Sequence, residues 1–226
     1  MKLVFTGKGS AFTPELGNTS GFFIKDDDLF VLDMGETVFE KLSRKLELSS
    51  FKDIHILITH LHSDHVGSLG TVISYMYCIY GKKIDIYHPE ENLRSLLSLM
   101  GIDEKMYDFH KDKDTEIEGI KISFVATPHV EDMACYGIII GDRDESIYYS
   151  GDSKDIPNRV LDEFFEGKIR IIYQDTTMKN SPEPTHMSLA LLEEKIPPEY
   201  RHRVYCMHLE EGAVKKIEDK GFKCIK

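Results

Sequence analysis

Thr59-His60-Leu61-His62-Ser63-Asp64-His65 packs three imidazoles and a carboxylate into one short stretch. Imidazole and carboxylate are good ligands for zinc and similar divalent ions. The stretch directly follows Ile54, Ile56 and Ile58, whose alternation reads as a buried strand. A turn after a strand can aim His60 and His62 at one ion, because alternate residues point the same way. Asp64 and His65 then face a second ion nearby. The alternative, a solvated polar loop that happens to hold histidines, leaves the tight spacing unexplained.

Working outward, the chain alternates strands and helices. Strands are expected at 3–6, 21–25 and 29–32, with the acidic triplet Asp26-Asp27-Asp28 as a hairpin turn. Val38, Phe39, Leu42 and Leu46 recur at helical spacing. A helix is expected over 66–80, closed by Gly81, then a strand over 84–87 and a helix over 89–100. Further strands are expected at 117–118, 121–126, 136–140, 147–149, 169–173, 204–207 and 222–225. Helices are expected near 156–165, 187–195 and 212–219. Antiparallel strands open each half and αβ alternation follows. That order predicts an α/β fold with two sheets face to face and helices outside, an αββα four-layer sandwich.

The totals fit this reading. A chain of 226 residues can bury a sizeable core and is expected to form one domain over 1–226. It is 41% hydrophobic and 30% charged, which excludes a disordered chain. The net charge of -11 argues against the basic surface that nucleic-acid binders use. An anionic substrate would need metal ions or a few local cations. Four cysteines, Cys78, Cys135, Cys206 and Cys224, form no C-x-x-C pair and read as buried small hydrophobes in a reducing compartment. The opening MKLVFTGKGSAF reads as a strand entering a glycine turn, not as a signal peptide, and no stretch is long enough to span a bilayer. A cytoplasmic protein with no membrane partner is the expectation.

The string His60 to His65 resembles the H-x-H-x-D-H signature of the metallo-β-lactamase superfamily. That resemblance implies a later His, then an Asp, then a last His, each at a strand end. Thr127-Pro128-His129, Ser150-Gly151-Asp152-Ser153 and His208 occur in that order and context. It further implies that His60, His62 and His129 hold one ion, that Asp64, His65 and His208 hold the other, and that Asp152 bridges them. The commonest zinc β-lactamases place Cys at the bridging position, so Asp152 points instead to phosphodiesters, thioesters or lactones.

Five segments narrow the resemblance to the ribonuclease Z group. Gly7-Lys8-Gly9-Ser10-Ala11, Gly17-Asn18-Thr19-Ser20 and Leu32-Asp33-Met34-Gly35-Glu36 are similar to its opening. Gln174-Asp175-Thr176 is similar to the end of its H-E-A-T strand, and His186-Met187-Ser188 to its following H-S-T. The resemblance implies that Asp175 orients His186 and that His186 helps protonate the leaving oxygen. Taken alone, His186 is a helix-start residue beside Ser188. Ribonuclease Z carries a long glycine-rich arm that grips tRNA, commonly between the positions matching His129 and Asp152. Here that stretch holds only two short strands and the turn Gly141 to Glu145. Compact relatives without the arm include cyclic-nucleotide phosphodiesterases, among them bacteriophage enzymes that degrade cyclic-nucleotide alarm signals.

The expectation is therefore a two-metal hydrolase of small phosphodiesters, with Zn2+ as its ions and Mn2+ also compatible with oxygen-rich ligands. Zinc lowers the pKa of a bound water to about 7, and paired ions clamp a phosphate. Asp64 would assist the attacking water, and Asp175 and His186 the leaving group. Three alternatives stay open: a tRNA 3′ endonuclease, a thioester or lactone hydrolase, and a non-catalytic metal-binding protein. The tyrosines on the 66–80 segment read as packing or as a homodimer face, the latter implied by the resemblance. His55, His88, His110 and His202 fit no motif.

Overall fold

The computed structural model describes residues 1–142 and 145–226. Its contacts divide the chain into two compact units: Leu3–Gly7 with Gly17–Asp112, and Met1–Lys2 with Lys8–Leu16 and Lys113–Lys226. Each unit is built around one sheet.

The first unit holds a six-stranded sheet in chain order, β1 (Val4–Gly7), β2 (Ser20–Lys25), β3 (Asp28–Leu32), β4 (Ile54–Leu57), β5 (Ile84–Tyr87) and β6 (Tyr107–His110). β1, β2 and β3 pair antiparallel, and β3 to β6 pair parallel. Parallel pairing needs crossovers. These run through α1 (Val38–Lys45), the short α2 (Ser63–Val66), α3 (Leu69–Tyr80) and α4 (Asn92–Leu99). Leu29, Val31, Ile54, Ile56, Ile84 and Ile86 form one face of the sheet. They pack with Val38, Leu42, Val72, Ile73, Met76, Leu93 and Leu97 from the helices into a single core. Each such side chain, fully buried, contributes about 1.5–3 kcal/mol of transfer free energy.

The second unit holds a seven-stranded sheet. Its order is β13-β12-β11-β10-β9-β8-β7, with β7 (Asp114–Ile117), β8 (Ile120–Ala126), β9 (Tyr136–Gly141), β10 (Ser146–Tyr149), β11 (Ile169–Asp175), β12 (Val204–Met207) and β13 (Lys223–Cys224). β7 to β10 are antiparallel and β10 to β13 parallel. α5 (Asn158–Phe165), α6 (Leu189–Lys195) and α7 (Ala213–Asp219) supply Val160, Phe164, Leu192, Ala213 and Ile217 to its core. The order antiparallel then parallel, read from the sequence, is present in both sheets, running from opposite ends of the strand list.

Several elements differ from expectation. The helix over 66–80 is two helices, because Ser68 interrupts it. The Ser68 hydroxyl donates to the Gly35 carbonyl at 2.6 Å and accepts from the Phe39 N–H at 3.2 Å. The helix over 89–100 starts three residues late, its first backbone bonds running to the Glu91 carbonyl. The strand over 117–118 lies instead at Asp114–Ile117, because Glu118 and Gly119 take left-handed φ of 47 and 78 and form the turn. The last strand is shorter than 222–225, and β6 was not expected at all. Asp28 is no turn residue: it is buried and begins β3, while Asp26, with φ of 54, makes the turn. Cys78 is exposed on α3, against the expectation of burial; Cys135 and Cys206 are buried. The expected turn Gly141 to Glu145 includes positions 143 and 144, which lie outside the described residues. Among the described residues no helix is long and apolar enough to cross a membrane.

Candidate metal centre

In the first unit the ligand string leaves the C-terminal end of β4, the end where open parallel sheets bind ligands. β3 lies beside it in register, Leu32 opposite Leu57. One residue past β3, Asp33 is fully buried and left-handed, with φ of 63. Its carboxylate accepts the Thr59 N–H at 2.8 Å and the Thr59 hydroxyl at 3.0 Å. It also lies 2.8 Å from His65 Nδ1. A buried carboxylate is acceptor-only when ionised, so His65 Nδ1 carries the proton and Nε2 the lone pair. The Thr59 hydroxyl spends its proton on Asp33, so its oxygen accepts from His60 Nδ1 at 3.1 Å. His60 Nε2 is thereby also left with a lone pair.

These lone pairs converge. His60 Nε2 lies 3.0 Å from His62 Nδ1, and His65 Nε2 lies 3.4 Å from Asp64 Oδ2. Ligand atoms about 2.0–2.2 Å from one tetrahedral ion stand roughly 3.3–3.6 Å apart. The His65–Asp64 spacing falls in that range, and the His60–His62 spacing lies a little below it. Gly35 makes the close approach possible: a Cβ there would lie 1.9 Å from the Asp64 carbonyl oxygen. His88, beside β4, donates from Nδ1 to the Ile58 carbonyl at 2.9 Å, and burial pushes its pKa below the ordinary histidine value.

In the second unit His129, Asp152, Asp175 and His208 again leave strand ends, and His186 sits in the loop after β11. His129 follows β8 and its Nδ1 donates to the Thr185 carbonyl at 2.7 Å. That bond fixes its tautomer, although burial holds its pKa down. Asp152 follows β10 through Gly151, whose φ of 57 turns the chain sharply. Asp152 Oδ2 lies 3.7 Å from His129 Nε2, while Oδ1 lies 3.6 Å from His208 Nε2. One carboxylate thus faces two imidazoles with different oxygens, a geometry open to a bridging ligand. His208 follows β12 with a left-handed φ of 58.

Asp175 ends β11 and accepts the Ser153 N–H at 3.0 Å and His186 Nδ1 at 2.7 Å. Asp152, Asp175, His186 and His208 offer ligand atoms within 4.8 Å of one another. Asp175 Oδ2 is committed to His186 Nδ1, and its Oδ1 lies 3.5 Å from His208 Nδ1. Burial pulls the His186 pKa down. The hydrogen bond and charge of Asp175, with the charge of Asp152, outweigh burial and leave it above the ordinary value.

The structure thus gathers His60, His62, Asp64 and His65 in one unit, and His129, Asp152, Asp175, His186 and His208 in the other. In both, the donor set and spacing fit divalent metal. Sequence reasoning gave Asp33 and Thr59 no role, though both stand in the quoted motifs; their signal was a Thr directly before His60 and an Asp directly after a buried strand.

Residues 1–225 match the family model of the anti-Pycsar protein Apyc1. The chain belongs to the Apyc1 family. It is 25% identical over 222 residues to the anti-Pycsar protein Apyc1 of Paenibacillus harenae, covering 92% of this chain and 89% of that one. It is 29% identical over 231 residues to the Apyc1 protein of Bacillus phage BSP38, covering 89% and 86%. Among solved structures it is similar to the metallo-β-lactamase fold protein YhfI of Bacillus subtilis, with TM-score 0.78 and 14% identity over 98% of this chain and 94% of the other. It is also similar to human tRNase Z, short form, with TM-score 0.75 and 17% identity over 93% of each chain. This Apyc1-family chain therefore has the metallo-β-lactamase fold shared with ribonuclease Z, and it is a metal-dependent hydrolase.

Proposed function

We propose that this Apyc1-family protein hydrolyses cyclic nucleotides, opening a small cyclic phosphodiester to a monoester. The observation that carries the reading is the split carboxylate of Asp152, whose two oxygens address His129 and His208 separately. A bridging Asp in place of Cys suits phosphodiesters, thioesters or lactones, and membership of the Apyc1 family favours the first of these. We assign His60, His62 and His129 to one divalent ion, Asp64, His65 and His208 to the other, and Asp152 to both. On this assignment the whole chain, 1–226, works as one catalytic domain. Two ions so held supply Lewis acidity and offset the phosphate's charge, which a chain of net charge -11 cannot do with its own side chains. Zinc suits the imidazole-rich ligand set, and manganese is compatible with its carboxylates.

The chain's own residues do the rest. Asp64 accepts a proton from the attacking water. His186, its Nδ1 held by Asp175 at 2.7 Å, donates a proton to the leaving sugar oxygen. Against burial, the hydrogen bond and charge of Asp175 hold the His186 pKa above the ordinary histidine value, which favours the protonated ring. His186 is also 29% exposed, where Asp175 is wholly buried, so it can reach a substrate. The protein is further assigned to the cytoplasm and to a homodimer, the latter through α3, which exposes Ile79 and Tyr80. Sedimentation would decide the dimer.

The test is a substrate panel with purified, metal-analysed protein: cyclic nucleotides, precursor tRNA, thioesters and lactones. Cyclic nucleotides should be cleaved fastest. Asp152→Ala should abolish turnover and lower metal content. Preferential acyl cleavage, or a fully metallated and active Asp152→Ala, would overturn the reading.

A further inference from the structure

Glu210 lies two residues beyond His208 and belongs to no motif singled out above. Its carboxylate ties three chain segments together. Oε1 accepts the Thr177 hydroxyl at 2.7 Å, and Oε2 accepts the Met178 N–H at 3.4 Å. Thr177 lies two residues beyond Asp175. It donates its N–H to the Met187 carbonyl at 2.8 Å and accepts the Leu189 N–H at 3.0 Å. Met187 directly follows His186. The Thr177 hydroxyl oxygen in turn accepts the Lys179 N–H at 3.1 Å, and Lys179 Nζ lies 3.8 Å from Glu210 Oε1. One carboxylate therefore holds, through Thr177, the base of the loop that carries His186. It does so from the segment that carries His208.

We propose that Glu210 is a positioning residue: through Thr177 it fixes the His186 loop so that the imidazole stays on Asp175 and points its other nitrogen at the leaving oxygen. This rests on the proton-donor role given to His186 above. In the step concerned, a water oxygen bonds to phosphorus and loses its proton to Asp64. The bond from phosphorus to the sugar oxygen breaks, and that oxygen takes the His186 proton. A sugar alkoxide is a strong base and needs the proton. p-Nitrophenolate is a weak base and leaves without it. A residue that acts only by aiming the proton donor therefore matters for one leaving group and not the other, whereas a general loss of structure damages both.

The experiment compares a cyclic nucleotide with bis-p-nitrophenyl phosphate, using holoprotein of measured metal content. Glu210→Ala should lower kcat on the cyclic nucleotide by about 10- to 100-fold, the range expected for a misplaced catalytic group. Its kcat on the nitrophenyl diester should fall less than about threefold, with metal content unchanged. Glu210→Gln keeps an acceptor for the Thr177 hydroxyl and should recover most of the loss. Thr177→Val should reproduce the Ala effect, and serves if Glu210→Ala does not fold. Glu210→Ala combined with His186→Ala should be no slower than His186→Ala alone. Equal losses on both substrates, or additive losses in the double variant, would refute the positioning role. If His186→Ala itself showed no difference between the two substrates, the proton-donor reading would fall first and this one with it.

Discussion

Asp33 makes no contact with substrate in the proposed mechanism, yet its carboxylate determines what His65 can do. Three donors converge on it: the Thr59 N–H, the Thr59 hydroxyl and His65 Nδ1, all within 3.0 Å. In Asp33→Asn one acceptor oxygen remains and the other becomes an NH2 donor. The amide oxygen can serve Thr59, but the NH2 then faces the Nδ1–H of His65. Either that buried donor goes unsatisfied, at about 1–3 kcal/mol, or His65 changes tautomer and protonates the very Nε2 that should bind metal. Both routes weaken the site by roughly 10- to 100-fold, the range seen when an orienting partner of a ligand is lost. The fold should survive, because Asn is isosteric and among the residues that tolerate a left-handed φ such as the 63 observed here. The assay is zinc titration of the apoprotein against a chromophoric chelator, with thermal melting alongside. Folded Asp33→Asn with unchanged zinc affinity would refute the argument that Asp33 sets the tautomer.

Further outcomes follow from the same geometry. Gly35→Ala should lower both the melting temperature and metal content, because the new Cβ would press within 1.9 Å of the Asp64 carbonyl oxygen and 2.8 Å of Asn18 Cβ; a fully metallated variant of unchanged stability would contradict the packing described. Burial lowers the pKa of both His55 and His88 from 6.5, although Asp85 and Asp28 pull His55 the other way. The unfolded chain then binds protons more readily than the fold, so stability should fall as pH drops below about 6.5. Urea midpoints between pH 7.5 and 5 should fall less steeply for His55→Gln or His88→Gln than for the wild type, and parallel slopes would exclude these groups as the cause.

How much of this could be read from the chain depended on how local each cause was. His60 to His65 declare themselves because all four groups share one strand end. His129, Asp152 and His208 are far apart in sequence, and only the resemblance to the metallo-β-lactamase pattern singles them out, each following an apolar strand. The role of Asp33 needs β3 and β4 side by side in parallel register, which no local pattern encodes. The break at Ser68 has the same origin, since the carbonyl it bonds belongs to Gly35. β6 escaped because Tyr107 and Phe109 alternate over only four residues, too short a run to stand out. Asp28 was misread since a charged triplet looks like a turn, whereas its burial depends on strand neighbours.

The orienting bonds carry a consequence for the order of events. His60, His65, His129 and His186 each have one ring nitrogen fixed by a partner from the protein itself: Thr59, Asp33, the Thr185 carbonyl and Asp175. Their tautomers are set before any ion arrives, so little ordering remains to be done on binding. A net charge of -11 raises the local concentration of cations and lowers that of anions around the molecule. The same field that favours loading with metal therefore opposes encounter with a phosphodiester. Recruitment of an anionic substrate must come from charge placed locally at the site, and the ions supply it. On that logic the acidic surface and the imidazole cluster are parts of one arrangement: the chain attracts divalent cations at long range, and only the loaded site attracts phosphate at short range.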